Sequence, residues 1–227
     1  MVMGYGLMLW FCGSMYHISN YGLKENLSLP VSAAGLALLL IGIFQKNAIS
    51  LKGFGMAVLG LAYISLCWGC MLSLYQQGIH WCNIPNNTMT RVPYILIASI
   101  WINDTMAYVI GSFMGKTPLS KISPKKTWEG TIGGIILSTL IIAFVAPLIF
   151  VGELYKPLIL FSGLIALIAS VIGTFGDLLE SKLKRMADVK DSGSLMPGHG
   201  GFLDRFDSLL LATPAVWLFI YLLTNMQ

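Results

Sequence analysis

Charge is scarce in this sequence. Asp, Glu, Lys and Arg make up 11% of its 227 residues, where a soluble domain carries about 25%. That scarcity excludes an ordinary soluble enzyme, a disordered tail and a nucleic-acid-binding module. Cysteine is also sparse, at four. Cys67-Trp68-Gly69-Cys70 has the spacing of a redox pair but sits in a charge-free apolar run. A reactive thiol needs an exposed, electropositive setting, so these two read as small packing residues. The N-terminus has neither a basic stretch nor a small-residue cleavage site, so no removable signal peptide is expected. No fixed-period repeat is visible.

Apolar residues are abundant. They form 56% of the chain, and the mean hydropathy is +0.76. About 20 helical residues cross the hydrocarbon of a bilayer. Runs without charge, and one apolar run interrupted only by Asn103 and Asp104 at 92–114, give helices over about 2–16, 29–45, 53–75, 92–114, 131–152, 157–176 and 209–225. The expected fold is therefore all-α, a polytopic integral membrane helical bundle of about seven transmembrane helices. It is read as one membrane-embedded domain over 1–227.

Alternating spans sort the loops into two sets. Loops 46–52, 115–130 and 177–208 hold eleven Lys and Arg, against three in 17–28, 76–91 and 153–156. The basic set should lie in the cytoplasm. Asn86-Asn87-Thr88 is a formal glycosylation sequon in the opposite set. The net charge of +4 fits this asymmetry and calls for no nucleic-acid partner.

Six of the ten acids crowd into 177–207: Asp177, Glu180, Asp188, Asp191, Asp204 and Asp207. Asp177, Glu180, Ser181 and Lys184 share one helical face. Asp204, Asp207 and Ser208 are spaced likewise before the last span. Two readings compete. Carboxylates on either side of a Gly-rich turn can hold a divalent cation, with Lys184, Arg185, Lys190 and Arg205 receiving phosphates. Alternatively, the charges pair internally and only brace the loop. Pro197-Gly198-His199-Gly200-Gly201 permits close backbone approach to an anion. His199 either donates to phosphate or is idle. Asn103 and Asp104 interrupt an apolar helix, and an intramembrane acid marks a functional site or pairs with a lysine. Lys116, Ser123, Lys125 and Lys126 lie in a basic loop that reads as a lid over phosphates or as positive-inside bias. Gly111 to Lys116 has three residues between its glycines, which is not a P-loop.

Residues 181–207 carry a denser pattern. Ser181-Lys182-Leu183-Lys184-Arg185, Lys190-Asp191-Ser192-Gly193, Pro197-Gly198-His199-Gly200-Gly201 and Asp204-Arg205-Phe206-Asp207 resemble, without a gap, the signature of the phosphatidate cytidylyltransferase (CDP-diacylglycerol synthase) family. The similarity extends to Gly176-Asp177, Ser123 through Gly130 and Asn103-Asp104. It thus spans about 92–225, the expected catalytic core.

The resemblance implies a membrane nucleotidyltransferase of phospholipid biosynthesis. Its reaction is CTP plus phosphatidic acid giving CDP-diacylglycerol and pyrophosphate. It implies Mg2+, with room for a monovalent cation such as K+, and Asp177 and Asp204 as metal ligands. Glu180 and Asp207 would support them. Lys184, Arg185, Lys190 and Arg205 would handle the triphosphate, and Lys125 and Lys126 the lipid phosphate. Asn103, Asp104, Lys116, Ser123, Ser181, Asp191, His199, Gly200 and Gly201 complete the expected substrate-binding set. The implied setting is a bacterial inner membrane, with the site near its cytoplasmic face and homodimerisation left open. The chain is shorter at its N-terminus than many bacterial members. A CTP-dependent polyprenol kinase, a cytidylyltransferase for ether-lipid phosphates and an ion transporter are the alternatives.

Overall fold

The structure is a computed structural model that describes residues 51–76, 91–120, 122–189, 192, 201 and 203–225, together with positions 37 and 40. The expected helices at 2–16 and 29–45 otherwise lie outside the described residues, as does the sequon. Chain contacts define two compact units, Met1–Gly69 and Cys70–Gln227. Among the described residues the secondary structure is helical, with no strand.

Five helices are described. They are α1 (Leu51–Gln76), α2 (Val92–Met114), α3 (Trp128–Phe150), α4 (Lys156–Met186) and α5 (Asp207–Asn225), with a 3-10 turn at Leu203–Arg205 before the last. Helices α2, α3 and α4, and Asp207–Thr224 of α5, are long and apolar enough to cross a membrane. Four such helices stand among the described residues against the seven expected for the chain. Cys67 and Cys70 are buried within α1, an environment that suppresses thiolate chemistry.

Local chemistry sets the helix ends. Pro93 and Pro157 stand in the first turns of α2 and α4, where a missing N–H costs nothing. The Thr127 side chain caps α3 by accepting from the Gly130 amide at 3.2 Å. Gly152, at φ +85°, closes the turn between α3 and α4, a conformation that glycine adopts freely.

Helix α4 departs most from expectation. It runs to Met186, well past the expected end near 176. Its 31 residues span about 46 Å, against about 30 Å of hydrocarbon. Its last turns therefore have the length to stand clear of the apolar layer. Those turns carry Asp177, Glu180 and Lys184. Charge ended the apolar run in the sequence, but it did not end the helix.

The second unit packs α2 against α3, α4 and α5, α3 against α4, and α4 against α5. Its core includes Ile95, Leu96, Phe161, Ile165, Ala212, Val216 and Ile220. Large apolar side chains such as Trp101, Phe144, Leu160 and Leu222 point outward, as a lipid-facing surface requires. Because lipid is as apolar as leucine, helix association there relies on close packing and hydrogen bonds. Both are present. Ser138 Oγ donates to the Ser99 carbonyl at 2.8 Å, and Ser170 Oγ donates to Ser138 Oγ at 3.1 Å.

Gly130 and Gly134 of α3 lie one small-xxx-small step apart, against Ala107 and Gly111 of α2. A Cβ on Gly130 would stand 2.6 Å from the Ala107 carbonyl oxygen. One on Gly134 would stand 2.8 Å from Ala107 Cβ and 2.9 Å from the Asn103 carbonyl oxygen. These glycines set the α2–α3 distance, and with it the position of Asn103 and Asp104. Gly134→Val is expected to destabilise the protein by about 1–3 kcal/mol through overpacking. The thermal unfolding midpoint in detergent checks this, and an unchanged midpoint contradicts it.

Candidate active site

The ends of α2, α4 and α5 and the loop between α2 and α3 enclose a cavity of about 500 Å³, within the range of small-molecule sites. Asn103, Asp104, Tyr108 and Ser112 line it from α2, and Ser123, Lys125, Lys126 and Thr127 from the loop. Thr174 and Asp177 of α4, Asp204, and Asp207 and Ser208 of α5 complete the wall.

Three carboxylates converge at its edge, Asp177 and Asp207 in the wall and Glu180 behind them. Asp177 and Glu180 are one helical turn apart on α4, and Asp207 opens α5. One oxygen from each lies within 4.8 Å of the others. Gly176 makes this approach possible, since a Cβ there would stand 2.7 Å from the Asp207 carbonyl oxygen. Glu180 is buried, and its Oε1 has no hydrogen-bond partner. An orphaned buried carboxylate oxygen is costly, and two acid neighbours raise that cost. Three hard oxygen donors with one unsatisfied fit magnesium, which favours carboxylate oxygens completed by water and phosphate.

Cations partly offset the acids. Lys126 Nζ makes an ion pair with Asp177 Oδ2. Burial draws the Lys126 ammonium below its ordinary pKa, while the Asp104 and Asp207 carboxylates oppose that shift. Ser181 Oγ donates to Asp177 Oδ1 at 3.4 Å. Asn103 Nδ2 donates to Thr174 Oγ1 at 3.5 Å, while Asn103 Oδ1 is buried without a partner.

Asp204, the other expected metal ligand, has a different environment from Asp177. Its Oδ1 accepts from Lys184 Nζ at 2.7 Å. Its Oδ2 accepts from the Ser192 amide at 2.9 Å, Ser192 Oγ at 2.8 Å and the Gly201 amide at 2.7 Å. Burial would raise the Asp204 pKa, but these bonds outweigh it and hold the carboxyl well below the usual range. Lys184 also reaches Glu180 Oε2 at 3.3 Å. Asp204 and Lys184 thus knot the loop to α4, which is the internal pairing weighed against metal binding for this cluster. The converging acids are Asp177, Glu180 and Asp207.

Two other expected residues, Lys116 and Arg185, do not line the cavity. Lys116 is exposed, with its amide bonded to Glu129, and Arg185 is exposed on the last turn of α4. Lys190, Asp191, His199 and Gly200 lie outside the described residues, as does the side chain of Arg205. Tyr108, Ser112, Thr174 and Ser208 join the wall without having been singled out as binding residues. Asp104, Tyr108 and Ser112 follow the i, i+4, i+8 spacing of one helix face, a signal present in the sequence.

The cytidylyltransferase family profile matches residues 1–223. The chain is 39% identical to the phosphatidate cytidylyltransferase of Bacillus subtilis over 190 residues, covering 83% of this chain and 66% of that protein. It is 36% identical to the enzyme of that name from Staphylococcus haemolyticus over 200 residues, 87% of this chain and 68% of the relative. A Staphylococcus epidermidis relative of the same name is 36% identical over 222 residues, with 88% and 83% covered. The chain spans about two thirds of the length of the first two. It belongs to the cytidylyltransferase family, and it is an integral membrane protein.

The knot at Asp204 is expected to be structural in its own right. Asp204→Ala leaves Lys184 without one partner and the Ser192 and Gly201 amides without theirs, a loss of about 1–3 kcal/mol. Thermal unfolding in the presence of a chelator should register that loss. A midpoint that falls only when divalent cation is supplied would assign Asp204 to the metal instead.

Proposed function

We propose that this chain transfers the cytidylyl group of CTP to phosphatidic acid, giving CDP-diacylglycerol and pyrophosphate. The observation that carries the reading is one cavity joining Asp177 and Asp207, with Glu180 close behind them, to Lys125 and Lys126, at the end of helices able to cross a membrane. The family and the names of the relatives point the same way. The positive-inside bias supports a cavity at the cytoplasmic face, where a nucleotide arrives from water while acyl chains stay in lipid. The bacterial relatives favour an inner membrane.

Both reactants are anions, so their approach is the electrostatic problem. The phosphate oxygen of phosphatidic acid attacks the α-phosphorus of CTP. One P–O bond forms as the bond to the β-phosphate oxygen breaks, and pyrophosphate leaves with that electron pair. The attacking oxygen is already ionised at neutral pH, so no side chain has to remove a proton. Asp177, Glu180 and Asp207 would hold Mg2+, with a monovalent cation such as K+ beside it. When bound, the magnesium ion supplies positive charge to the transferring group and the leaving pyrophosphate. Lys126 and Lys125 hold the lipid phosphate at the cavity wall. Asn103 offers its unsatisfied carbonyl oxygen to a donor on the substrate. Asp204 and Lys184 hold Ser192 and Gly201 to the end of α4.

Purified protein given labelled CTP, phosphatidic acid and Mg2+ should produce labelled lipid and an equal amount of pyrophosphate, both abolished by chelator. Asp177→Asn and Asp207→Asn should each reduce turnover at least about a hundredfold while the protein stays folded in detergent. CDP in place of pyrophosphate would mean phosphoryl transfer. Full turnover in Asp207→Asn would remove the convergent acids from the mechanism.

A further inference from the structure

Glu129, in the first turn of α3, is tied to the opposite end of the loop. Its carboxylate accepts from the Lys116 and Thr117 amides at 3.2 Å each and from Thr117 Oγ1 at 2.8 Å. These bonds fix the chain where it leaves α2. The fixed segment then pairs with the one leading back into α3. The Trp128 amide donates to the Thr117 carbonyl at 2.9 Å, and the Leu119 amide to the Lys126 carbonyl at 2.7 Å. The Lys126 amide donates to the Ser123 carbonyl at 3.2 Å. Both backbone groups of Lys126 are therefore held, and its ammonium lies on Asp177.

That seat is also one of the three acids proposed to hold a divalent cation. An ammonium and a cation compete for the same oxygens. A lysine on a flexible stem loses rotamer entropy when it is ordered in such a half-buried pair. Fixing its backbone beforehand reduces that cost.

We propose that Glu129 is a positioning residue that keeps Lys126 seated on Asp177. The ammonium is then the counter-ion of the acid cluster until a divalent cation displaces it toward the substrate phosphate. The proposal rests on Asp177, Glu180 and Asp207 being the divalent site. Loosening the loop should make that site easier to fill.

The test uses Mn2+ alone, titrated into the full chain in detergent without nucleotide or lipid, with free Mn2+ read by electron paramagnetic resonance. Wild type, Glu129→Gln, Lys126→Gln and the double variant form a cycle. Glu129→Gln should tighten Mn2+ binding about threefold and Lys126→Gln about tenfold. The double variant should match Lys126→Gln. The sign is diagnostic, because removing a carboxylate by itself weakens cation binding. Weaker or unchanged binding in Glu129→Gln overturns the proposal. So does an equal effect of Glu129→Gln in the Lys126→Gln background, or no saturable site in any of the four proteins. Thr117→Val removes only the hydroxyl bond to Glu129 and serves if Glu129→Gln does not fold. It should shift Mn2+ binding in the same direction by less, and no shift overturns the proposal. Because no CTP or lipid is present, failed turnover leaves the titration valid. Normal turnover with a flat cycle removes only the role of Glu129.

Discussion

Carboxylates gathered at the end of an apolar helix bundle must be neutralised, and much of the local architecture follows from that requirement. Asp177, Glu180 and Asp207 converge where water is limited, and like charges so close are costly. Two lysines answer them from different elements. Lys126 reaches Asp177 from the α2–α3 loop, and Lys184 bridges Glu180 and Asp204 within the α4–α5 region. The buried Glu180 Oε1 remains unsatisfied.

Close helix packing serves the same end. Gly176 lets α5 bring Asp207 against α4, and Gly130 and Gly134 let α3 lie against α2. The serine links beneath the cavity hold α2, α3 and α4 together without a large buried charge. Apolar side chains on the outside of the helices meet lipid, and the polar atoms gather at one end. A phospholipid substrate needs that division, since its tails and its phosphate belong to different solvents.

Much of this was legible in the sequence. The apolar runs located α2 to within a residue, despite Asp104 inside it, and the other described spans to within a few residues at most ends. The spacing of Asp177, Glu180, Ser181 and Lys184 placed them on one face. The end of α4 was not legible, because hydropathy reports where lipid stops and not where hydrogen bonding stops. Asp204 was harder still. Its spacing from Asp207 suggested a shared ligand set, but besides Lys184 and the Ser192 hydroxyl it is held by the Ser192 and Gly201 backbone amides, which no residue type announces. Glu129 was hidden for a similar reason. A lone acid beside a helix start reads as an ordinary dipole partner, and its bonds to Lys116 and Thr117 depend on how the loop folds back.

The central claim is that the α-phosphorus of CTP passes to a lipid phosphate. Parallel incubations with CTP labelled at the α- or the γ-phosphate, in the presence of phosphatidic acid and Mg2+, test it directly. The account predicts label in the lipid from the α-position and none from the γ-position. Lipid labelled from the γ-position would contradict it and make the protein a CTP-dependent kinase.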